Sequence, residues 1–271
     1  MAIDKITFGT VQEVDYYEIW MKFCPTETFK HGQKIIRFSL DDFTHIMIKS
    51  LPPALGIATS YIEANPRAFG SYRKYIDFMR SIIKDFDVND QHKISRIDLC
   101  VDVYDYPLEY FKDCCNIKHK RHQELYVSSS KSLVYGKTPQ RITIYERDKR
   151  DPFLKDQLVT RVESQCRGKK LPILRLSQVR QLINYNPFEK IYFSKTNYNY
   201  TEIKNRREAK NFAYLKRLVE QYGINEARRI INKDGHFARD YEKFLIRVNE
   251  PDLFALYQTS IKKLLDGFEM A

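Results

Sequence analysis

The sequence lacks the features that mark several common protein classes. Only 9 of its 271 residues are glycine and 10 are proline, which argues against a disordered or low-complexity chain. No apolar run approaches the ~20 residues that span a bilayer, and the opening MAIDKITFGT has no apolar segment of the signal-peptide kind. The five cysteines include no Cys-x-x-Cys pair. We therefore expect a cytoplasmic protein with no membrane partner and no structural disulfides.

Motifs for nucleotides and zinc are also absent or weak. There is no Walker loop and no Gly-x-Gly-x-x-Gly, so nothing in the sequence indicates an attached helicase. Two cysteines and two histidines lie close together, at Cys114, Cys115, His119 and His122. Their spacing fits no standard zinc motif. We favour the alternative, in which the cysteines belong to a helix and the histidines to a basic loop.

Positive charge and aromatic side chains are abundant. The formal net charge is +11 with a pI near 9.2, and 19 tyrosines and 17 phenylalanines accompany a single tryptophan. Lysine and arginine release counterions from phosphates, so a basic chain favours a polyanionic partner such as nucleic acid. A basic surface with no such partner is the alternative.

Hydrophobic periodicity divides the chain into strands and helices. Residues 1–60 are predicted to form strands and turns, with strand segments VDYYEIWMKF, KIIRFSL and THIMIKSL. Further strands are predicted in ISRIDLCVDV, in a hairpin formed by SLVYGK and RITIYER, and in VTRVESQCRG. Helices are predicted in 70–86, in PLEYFKDCCN with Pro107 in the first turn, and in LSQVRQLI with Ser177 as N-cap.

From about residue 200 the chain becomes charged and helical. The predicted fold class is therefore α+β, with a central, largely antiparallel sheet, helices on one face and a mostly helical C-terminal region. The boundary is placed so that residues 1–195 form the α+β domain and 196–271 the basic helical region. Within this region, YLKRLVEQYGINEARRIINK has the pattern of a helix-turn-helix with Gly223 in the turn. A solvated helical hairpin is the alternative that we favour.

Three of the predicted strands have one chemically distinct face, because alternate side chains of a strand point to opposite sides. In RIDLCVDV that face carries Arg96, Asp98, Cys100 and Asp102. In RITIYER it carries Arg141, Thr143, Tyr145 and Arg147, and in TRVESQCR it carries Arg161, Glu163, Gln165 and Arg167. If the strands pair in one sheet, helices cover the apolar face and the ionisable groups gather on the other. An ordinary half-solvated sheet with scattered ion pairs is the alternative.

Carboxylates on neighbouring strands suit a hard cation such as Mg²⁺ or Mn²⁺, which prefers oxygen ligands. Asp98 and Asp102 are four residues apart, roughly 13 Å along an extended strand, so they cannot both ligate one ion directly. We predict Asp98 and Glu163 as the metal ligands. Asp102 is predicted as an indirect or alternative ligand.

The three strands resemble motifs of the replication initiation factor family, which includes initiators of rolling-circle plasmids, some filamentous-phage replication proteins and relaxases of some integrative elements. RIDLCVDV is similar to the family's "TRIDLAxD" strand, SLVYGKTPQRITIYERDKR to its "tLYiG…RiYdK" hairpin, and TRVESQCRG to its "RvElqlRG" strand. The motifs occur in the family's order and cover about residues 95–168.

The resemblance implies metal-dependent DNA nicking and joining through a tyrosine. By position that tyrosine is Tyr145, with Tyr135 and Tyr214 as alternatives, and residues 1–195 form the nicking domain. The family usually has lysine two residues after the tyrosine; here it is Arg147, with Lys149 close by. Arginine keeps the charge but cannot donate a proton. The paired-histidine motif of better-known nickases is missing, since His45 precedes Ile-Met-Ile, so carboxylates must hold the metal.

The sequence thus predicts a rolling-circle replication initiator that nicks and rejoins single-stranded DNA by transesterification. Alternatives are a conjugative relaxase with the same chemistry, a metal nuclease that uses water, and a non-catalytic nucleic-acid-binding protein. We further expect a homodimer and a host helicase as partner. The residues predicted to contact DNA are Arg96, Arg141, Arg161, Arg167, Arg206, Arg207, Lys216, Arg217, Arg228 and Arg229.

Overall fold

The computed structural model describes most of the chain. The described residues are 2–30, 33–40, 45–50, 60–89, 92–117, 122–127, 130–149, 154, 157–196, 203–233 and 241–266. Within them the fold is α+β with a large antiparallel sheet, as the sequence predicts.

Strands are numbered in chain order, and we give their bounds once. They are β1 (Ile3–Thr10), β2 (Thr26–Lys30), β3 (Gln33–Ser39), β4 (His45–Ser50), β5 (Ser60–Ala64), β6 (Lys93–Tyr104), β7 (Cys115–Ile117), β8 (His122–Val127), β9 (Ser130–Tyr135), β10 (Gln140–Glu146), β11 (Val159–Arg167), β12 (Ile191–Thr196) and β13 (Leu245–Val248). The ten-stranded sheet has the order β2-β3-β4-β5-β1-β6-β11-β10-β9-β8, and a second sheet has the order β13-β12-β7. The three motif strands β6, β11 and β10 are therefore direct neighbours.

The described helices are α1 (Tyr16–Phe23), α2 (Tyr72–Ile82), α3 (Leu108–Cys114), α4 (Arg206–Tyr222), α5 (Ile224–Lys233) and α6 (Leu253–Leu265). Of these, α1, α2, α3 and α6 contribute to the core on the apolar face of the large sheet, whereas α4 and α5 form a cluster of their own. Four 3₁₀ segments are Pro66–Phe69, Gly168–Lys170, Leu176–Asn184 and Glu242–Phe244. No helix in the described ranges is both long and apolar enough to cross a membrane.

The segment 16–23 is helical, and the predicted strand there is wrong. Asp15 caps the helix by accepting a hydrogen bond from the backbone N–H of Glu18 at 2.9 Å. The apolar residues that seemed to alternate are mostly exposed, and only Ile19 is buried. Local capping and one buried contact thus outweigh the strand propensity of the aromatic residues.

Other predicted elements form with changed ends. The helix predicted over 70–86 is α2, capped by Ser71, and it ends at Ile82 because Ile83 adopts an extended conformation. The helix after Pro107 is α3, and the predicted hairpin is β9–β10. LSQVRQLI forms a 3₁₀ helix rather than an α-helix, with Arg175 instead of the predicted Ser177 as N-cap residue.

Two hydrophobic clusters hold the described residues together. The larger lies between the sheet and its helices and includes Ile97, Leu99 and Val101 of β6. The smaller is formed mainly by α4 and α5, with Leu215 and Ile231 fully buried. Helix α6 packs on β6 and its side chains belong to the larger cluster, so the chain returns to the main core after α5. The predicted boundary between the two domains, after residue 195, lies inside β12, and the division into two domains stays a prediction.

Candidate active site

One face of the large sheet carries the ionisable side chains, and we call it the polar face. Register pairs on this face are Arg37–Met47, Met47–Glu63, Glu63–Thr7, Thr7–Arg96, Lys5–Asp98, Asp98–Gln165, Cys100–Glu163, Asp102–Arg161, Gln165–Arg141, Glu163–Thr143 and Arg161–Tyr145. The opposite face pairs apolar residues, for example Val101 with Val162. The segregation predicted for the three motif strands is confirmed.

Glu163 occupies the middle of the polar face. It lies opposite Cys100, which is the residue between Asp98 and Asp102 on β6. Glu163 is therefore a diagonal neighbour of both aspartates, a separation of roughly 7–8 Å that long side chains can close. The register therefore puts Glu163 next to each aspartate, while Asp98 and Asp102 remain four residues apart along β6.

Asp98 is buried and is held by an arginine of its own strand. Its side chain is 1% exposed, and its Oδ1 accepts a hydrogen bond from Arg96 Nε at 2.9 Å, while a second bond joins Arg96 Nη2 to Oδ2. Arg96 Nη1 also lies 3.7 Å from Glu63 Oε2. Arg96 thus pairs with carboxylates of the protein, and its predicted contact with a DNA phosphate stays a prediction.

Asp102 is held by two arginines, Arg161 of the neighbouring strand β11 and Arg147, which follows β10. Arg161 donates from Nε and Nη2 to the two carboxylate oxygens at 2.6 and 2.9 Å, and Arg147 Nη1 donates at 2.7 Å. Arg161 also donates from Nη1 to Asp4 Oδ1 at 2.7 Å. The guanidinium of Arg161 is thus almost fully enclosed by carboxylates, and its predicted role in DNA binding stays a prediction.

On this face the pKa values of Asp98, Asp102 and Glu163 are raised, whereas the pKa of Glu63 is lowered because burial, which raises it, is outweighed by the hydrogen bond and ion pair with Lys5. Burial raises the pKa of Asp98 and of Asp102, although Arg96 and Arg147 respectively oppose the shift. Burial, followed by the charges of Asp4 and Asp98, raises the pKa of Glu163 to about 8. Burial thus contributes most to this shift, and the charges of Asp4 and Asp98 add to it against the opposing charges of Arg96 and Arg141.

The donor set fits a hard divalent cation in its chemistry. Asp98 and Glu163 supply oxygen ligands, and their mutual repulsion with Asp4 is what a cation would relieve. In the described part of the chain, no three Asp, Glu, His or Cys side chains form a ready-made metal site. A cation would have to replace the bond of Arg96 to Asp98, so metal binding stays a prediction.

Tyr145 lies on the polar face, opposite Arg161 on β11 and Ser132 on β9. Tyr135, the first alternative nucleophile, pairs with Ile142, is 1% exposed and hydrogen-bonds to Cys115. Its phenol points into the apolar core, away from the carboxylates. Tyr214, the second alternative, packs against the smaller cluster on α4. Of the three candidates, the register places Tyr145 with the acidic residues.

Sequence reasoning did not identify Asp4, although its side chain contacts the candidate site. The pairing of β1 with β6 passes from Ile3–Leu99 to Lys5–Asp98, so Asp4 is an extra residue in a β-bulge. Its side chain reaches Arg161 from there. Strict alternation would have put Asp4 on the apolar face, and bulges leave no signal in a single sequence.

Arg67 is a second residue that the sequence did not identify. It is held by the 3₁₀ segment after β5, where the Asn65 side chain accepts from the Arg67 backbone N–H at 3.1 Å. Burial lowers the pKa of Arg67, but negative charge on Asp4, followed by Cys100, Asp102 and Tyr145, outweighs that effect and raises it. Its Nη1 lies 3.4 Å from Asp4 Oδ1 and is buried without a hydrogen-bond partner among the described atoms. Asn-Pro at 65–66 signals a turn but not this orientation.

The remaining predicted residues are spread over other surroundings. Lys149 forms an ion pair with Glu146 at 2.6 Å, and Arg167 is an exposed residue at the end of β11. Arg141 pairs with Gln165 across the strands and its buried Nε has no hydrogen-bond partner among the described atoms.

The basic residues of the C-terminal helices differ in their freedom to bind phosphate. Arg228 stacks between the rings of Tyr192 and Tyr241 at 5.5 and 5.8 Å. Three others also have intramolecular partners: Arg229 pairs with Glu226, Lys216 lies 3.8 Å from Glu220, and Arg217 lies over the Tyr214 ring. Arg206 and Arg207 are exposed in the first turn of α4.

Gly223 forms the turn between α4 and α5, as predicted, with φ 77°. A Cβ there would lie 2.5 Å from the Lys112 carbonyl oxygen, so glycine is also needed for packing against α3. Of the weak zinc candidate, Cys114 and Cys115 are buried, while residue 119 and the side chain of residue 122 lie outside the described residues.

Comparisons with known proteins give one distant likeness. No family model and no curated protein matches the chain. Among solved structures, the fold is similar to a rolling circle replication initiator protein from Geobacillus stearothermophilus, with 14% identity, a TM-score of 0.45, and coverage of 82% of this chain and 97% of that chain. At that identity and TM-score the likeness supports no functional conclusion, so the function depends on the residues of the polar face.

Proposed function

We propose that the protein is a metal-dependent DNA nicking and joining enzyme that starts rolling-circle replication. The observation that supports this best is the position of Tyr145. Its phenol lies on the same face as the Asp98, Asp102 and Glu163 carboxylates, on a strand whose opposite side is buried. A nucleophile beside a cluster of oxygen ligands is the arrangement that metal-assisted phosphoryl transfer requires.

The reaction that we propose is a transesterification at phosphorus. The Tyr145 oxygen attacks the scissile phosphodiester, the bond from phosphorus to the 3′ oxygen breaks, and the DNA keeps a 5′ phosphotyrosine link. The phenol proton is lost and the released 3′ oxygen takes up a proton to become a hydroxyl. Attack by that hydroxyl on the phosphotyrosine reverses the step and rejoins the strand.

Charged groups around Tyr145 would lower the activation free energy of this step. A phenol with a pKa near 10 is a poor nucleophile at neutral pH, so the phenolate must be stabilised. Arg67 attracts negative charge on Tyr145. Its Nη1 lies 3.4 Å from Asp4 Oδ1 and makes no hydrogen bond among the described atoms, so it can donate to a phosphate oxygen or to the phenolate. Arg147 and Arg161 hold the Asp102 carboxyl group in place, and the charge of Arg147 opposes the burial that raises its pKa.

The metal is Mg²⁺ or Mn²⁺ in this proposal, held by Asp98 and Glu163 with Asp102 or Asp4 nearby. When bound it would polarise the phosphate and offset the charge that develops on it. The net charge of +11 and exposed basic residues such as Arg206 and Arg207 would hold the DNA backbone. The homodimer and the host helicase partner stay predictions.

A nicking assay on supercoiled DNA carrying candidate origins tests the mechanism. With Mn²⁺, the wild type should nick one strand and leave a protease-sensitive protein link at the 5′ end. Tyr145→Phe removes one oxygen and should abolish both the nick and the link while DNA binding, followed by anisotropy, stays within about twofold.

Tyr104→Phe is a matched control, because Tyr104 is exposed at the end of β6 on the polar face. It should nick and link normally. A covalent link that survives in Tyr145→Phe would show that the nucleophile is misassigned. Nicks with free 5′ phosphates would favour a nuclease that uses water, and origin binding without any nick would favour the non-catalytic alternative. A relaxase would give the same products on a transfer origin.

A further inference from the structure

A large pocket lies at one end of the sheet, beside the candidate active site. Its volume is about 740 Å³, within the range of sites for small ligands. Its described lining comes from the C-terminal end of α1, the paired ends of β3 and β4, the end of β5 and the start of β1. Nothing in the proposed reaction so far uses it.

The pocket combines an apolar wall with a hydrogen-bonding floor. Phe23 and Phe38 stack with ring centroids 5.1 Å apart and an interplanar angle of 18°, and Met47 adds a thioether. On the floor, Ser39 Oγ and His45 Nδ1 are 2.7 Å apart and hydrogen-bond across the strands. Such a pair offers a neighbouring donor and acceptor, which are the groups that the edge of a nucleobase requires.

The charges in the pocket disfavour a free anion. Asp4 and Glu63 are offset by Lys5 and Arg37, so the described residues of the lining have a formal charge of zero with His45 counted as neutral. Lys5 and Glu63 are moreover paired with each other at 2.8 Å. A flat, uncharged ligand with hydrogen-bonding edges suits this lining better than a phosphate does.

The pocket is continuous with the polar face. Asp4, Lys5 and Glu63 line the pocket. Asp4 is also paired with Arg161, and Glu63 with Arg96, so the pocket adjoins the arginines that hold Asp98 and Asp102. Tyr145 lies toward the same end of the sheet, on β10, which is five strand spacings from His45 on β4 and six from Ser39 on β3, or roughly 24–29 Å. A DNA strand that crosses the sheet at Tyr145 would therefore pass the mouth of the pocket a few nucleotides away.

We propose that this pocket takes one unstacked nucleobase of the single-stranded DNA and so contributes to the choice of nicking site. The base packs against the apolar wall and its edge bonds to Ser39 and His45, as enzymes read bases that have left the stack. The inference rests on the proposed function only in taking single-stranded DNA as the ligand.

The test is an affinity measurement that needs no cleavage. A fluorescein-labelled single-stranded oligonucleotide is selected by the wild-type protein from a random pool, and binding is followed by anisotropy with chelator present. An abasic site at one position should weaken wild-type binding roughly tenfold. The double variant Ser39→Ala/His45→Ala should bind the intact oligonucleotide about tenfold more weakly and show no further loss with the abasic one.

Ser50→Ala is the matched control. Ser50 lies at the other end of β4, outside the pocket lining, and its Oγ is also 2.7 Å from its partner, the Tyr16 hydroxyl. This variant should keep the wild-type affinity and the full abasic penalty. Free deoxynucleosides should not compete with the oligonucleotide. Competition would assign the pocket to a free metabolite and overturn the proposal.

Nicking by the same preparation separates the two proposals. A protein that nicks through Tyr145 but shows a flat abasic scan retains the proposed function and refutes the pocket. If the wild type never nicks DNA but shows a position-specific abasic penalty that the double variant loses, the pocket proposal stands and the proposed nicking function is refuted. Failure to select any oligonucleotide refutes both.

Discussion

Replacing Glu163 by glutamine should stabilise the protein, and increasingly so as the pH rises. The pKa of Glu163 is about 8 in the folded protein, because of burial and the charges of Asp4 and Asp98, against an ordinary value of 4.5. In the unfolded chain the carboxyl ionises at the ordinary value. Between these two pH values the unfolded state loses the proton while the folded state keeps it, so wild-type stability falls as pH rises.

The magnitude follows from the two pKa values. The difference between 4.5 and about 8 sets an upper limit of roughly 5 kcal/mol, reached once the pH exceeds the folded value. Glu163 is only partly buried, and Arg96 and Arg141 can move toward its charge. We therefore expect about 2 kcal/mol, or a rise in Tm of roughly 5 °C for Glu163→Gln at about pH 8.

Urea denaturation in chelator across about pH 5 to 9 measures the effect, since no cation then neutralises the site. The difference in unfolding free energy between the variant and the wild type should be small near pH 5, grow to about pH 8 and then stay constant. Glu220→Gln, an exposed glutamate of α4 near Lys216, should give no such trend. A difference for Glu163→Gln that is independent of pH would refute the account of charge crowding on the polar face.

Three further predictions concern other parts of the molecule. Gly223→Ala should lower the free energy of unfolding in urea by at least about 2 kcal/mol, because its Cβ would meet the Lys112 carbonyl oxygen. Gly70 has a similar φ and nothing within 4 Å of its Cβ position, so Gly70→Ala should lower it by only about 1 kcal/mol. Equal losses would contradict the packing argument. Replacing Arg206 and Arg207 by glutamine should lower the salt dependence of DNA binding by nearly one unit of slope per lost contact, and an unchanged slope would show that α4 faces away from DNA. Asp98→Asn should abolish Mn²⁺-dependent cleavage with DNA affinity retained, and loss of affinity with intact nicking would show that Asp98 acts on DNA binding instead.

Alternation along single strands is local, and the sequence predicted it correctly. Ile97, Leu99 and Val101 had to face a core, so Asp98 and Asp102 had to face the other way. The same reasoning oriented Tyr145 and Glu163. Because this period alone oriented these residues, the members of the polar face could be predicted before any strand pairing was known.

Residue propensities predicted the wrong secondary structure where helix capping and packing contacts select the conformation. Residues 16–23 alternate weakly and contain aromatics, yet Asp15 and the contact of Ile19 with the core make them helical. The segment 176–184 shows helical spacing but forms the tighter 3₁₀ helix. In both cases the energy differences between conformations are small, so contacts with the rest of the chain select one.

Pairing and bulges were decided only by the tertiary structure. Glu163 lies between Asp98 and Asp102 because β11 pairs with β6 in one register, and a slip of one residue would have turned it into the core. Asp4 reaches the site through a bulge, and Arg67 through a turn after β5 that is distant in sequence from every motif. The sequence by itself determined which residues share a face, since side-chain alternation depends on the chain alone. Which of those residues meet across the sheet depends on hydrogen bonding between distant segments, and that only the folded structure decides.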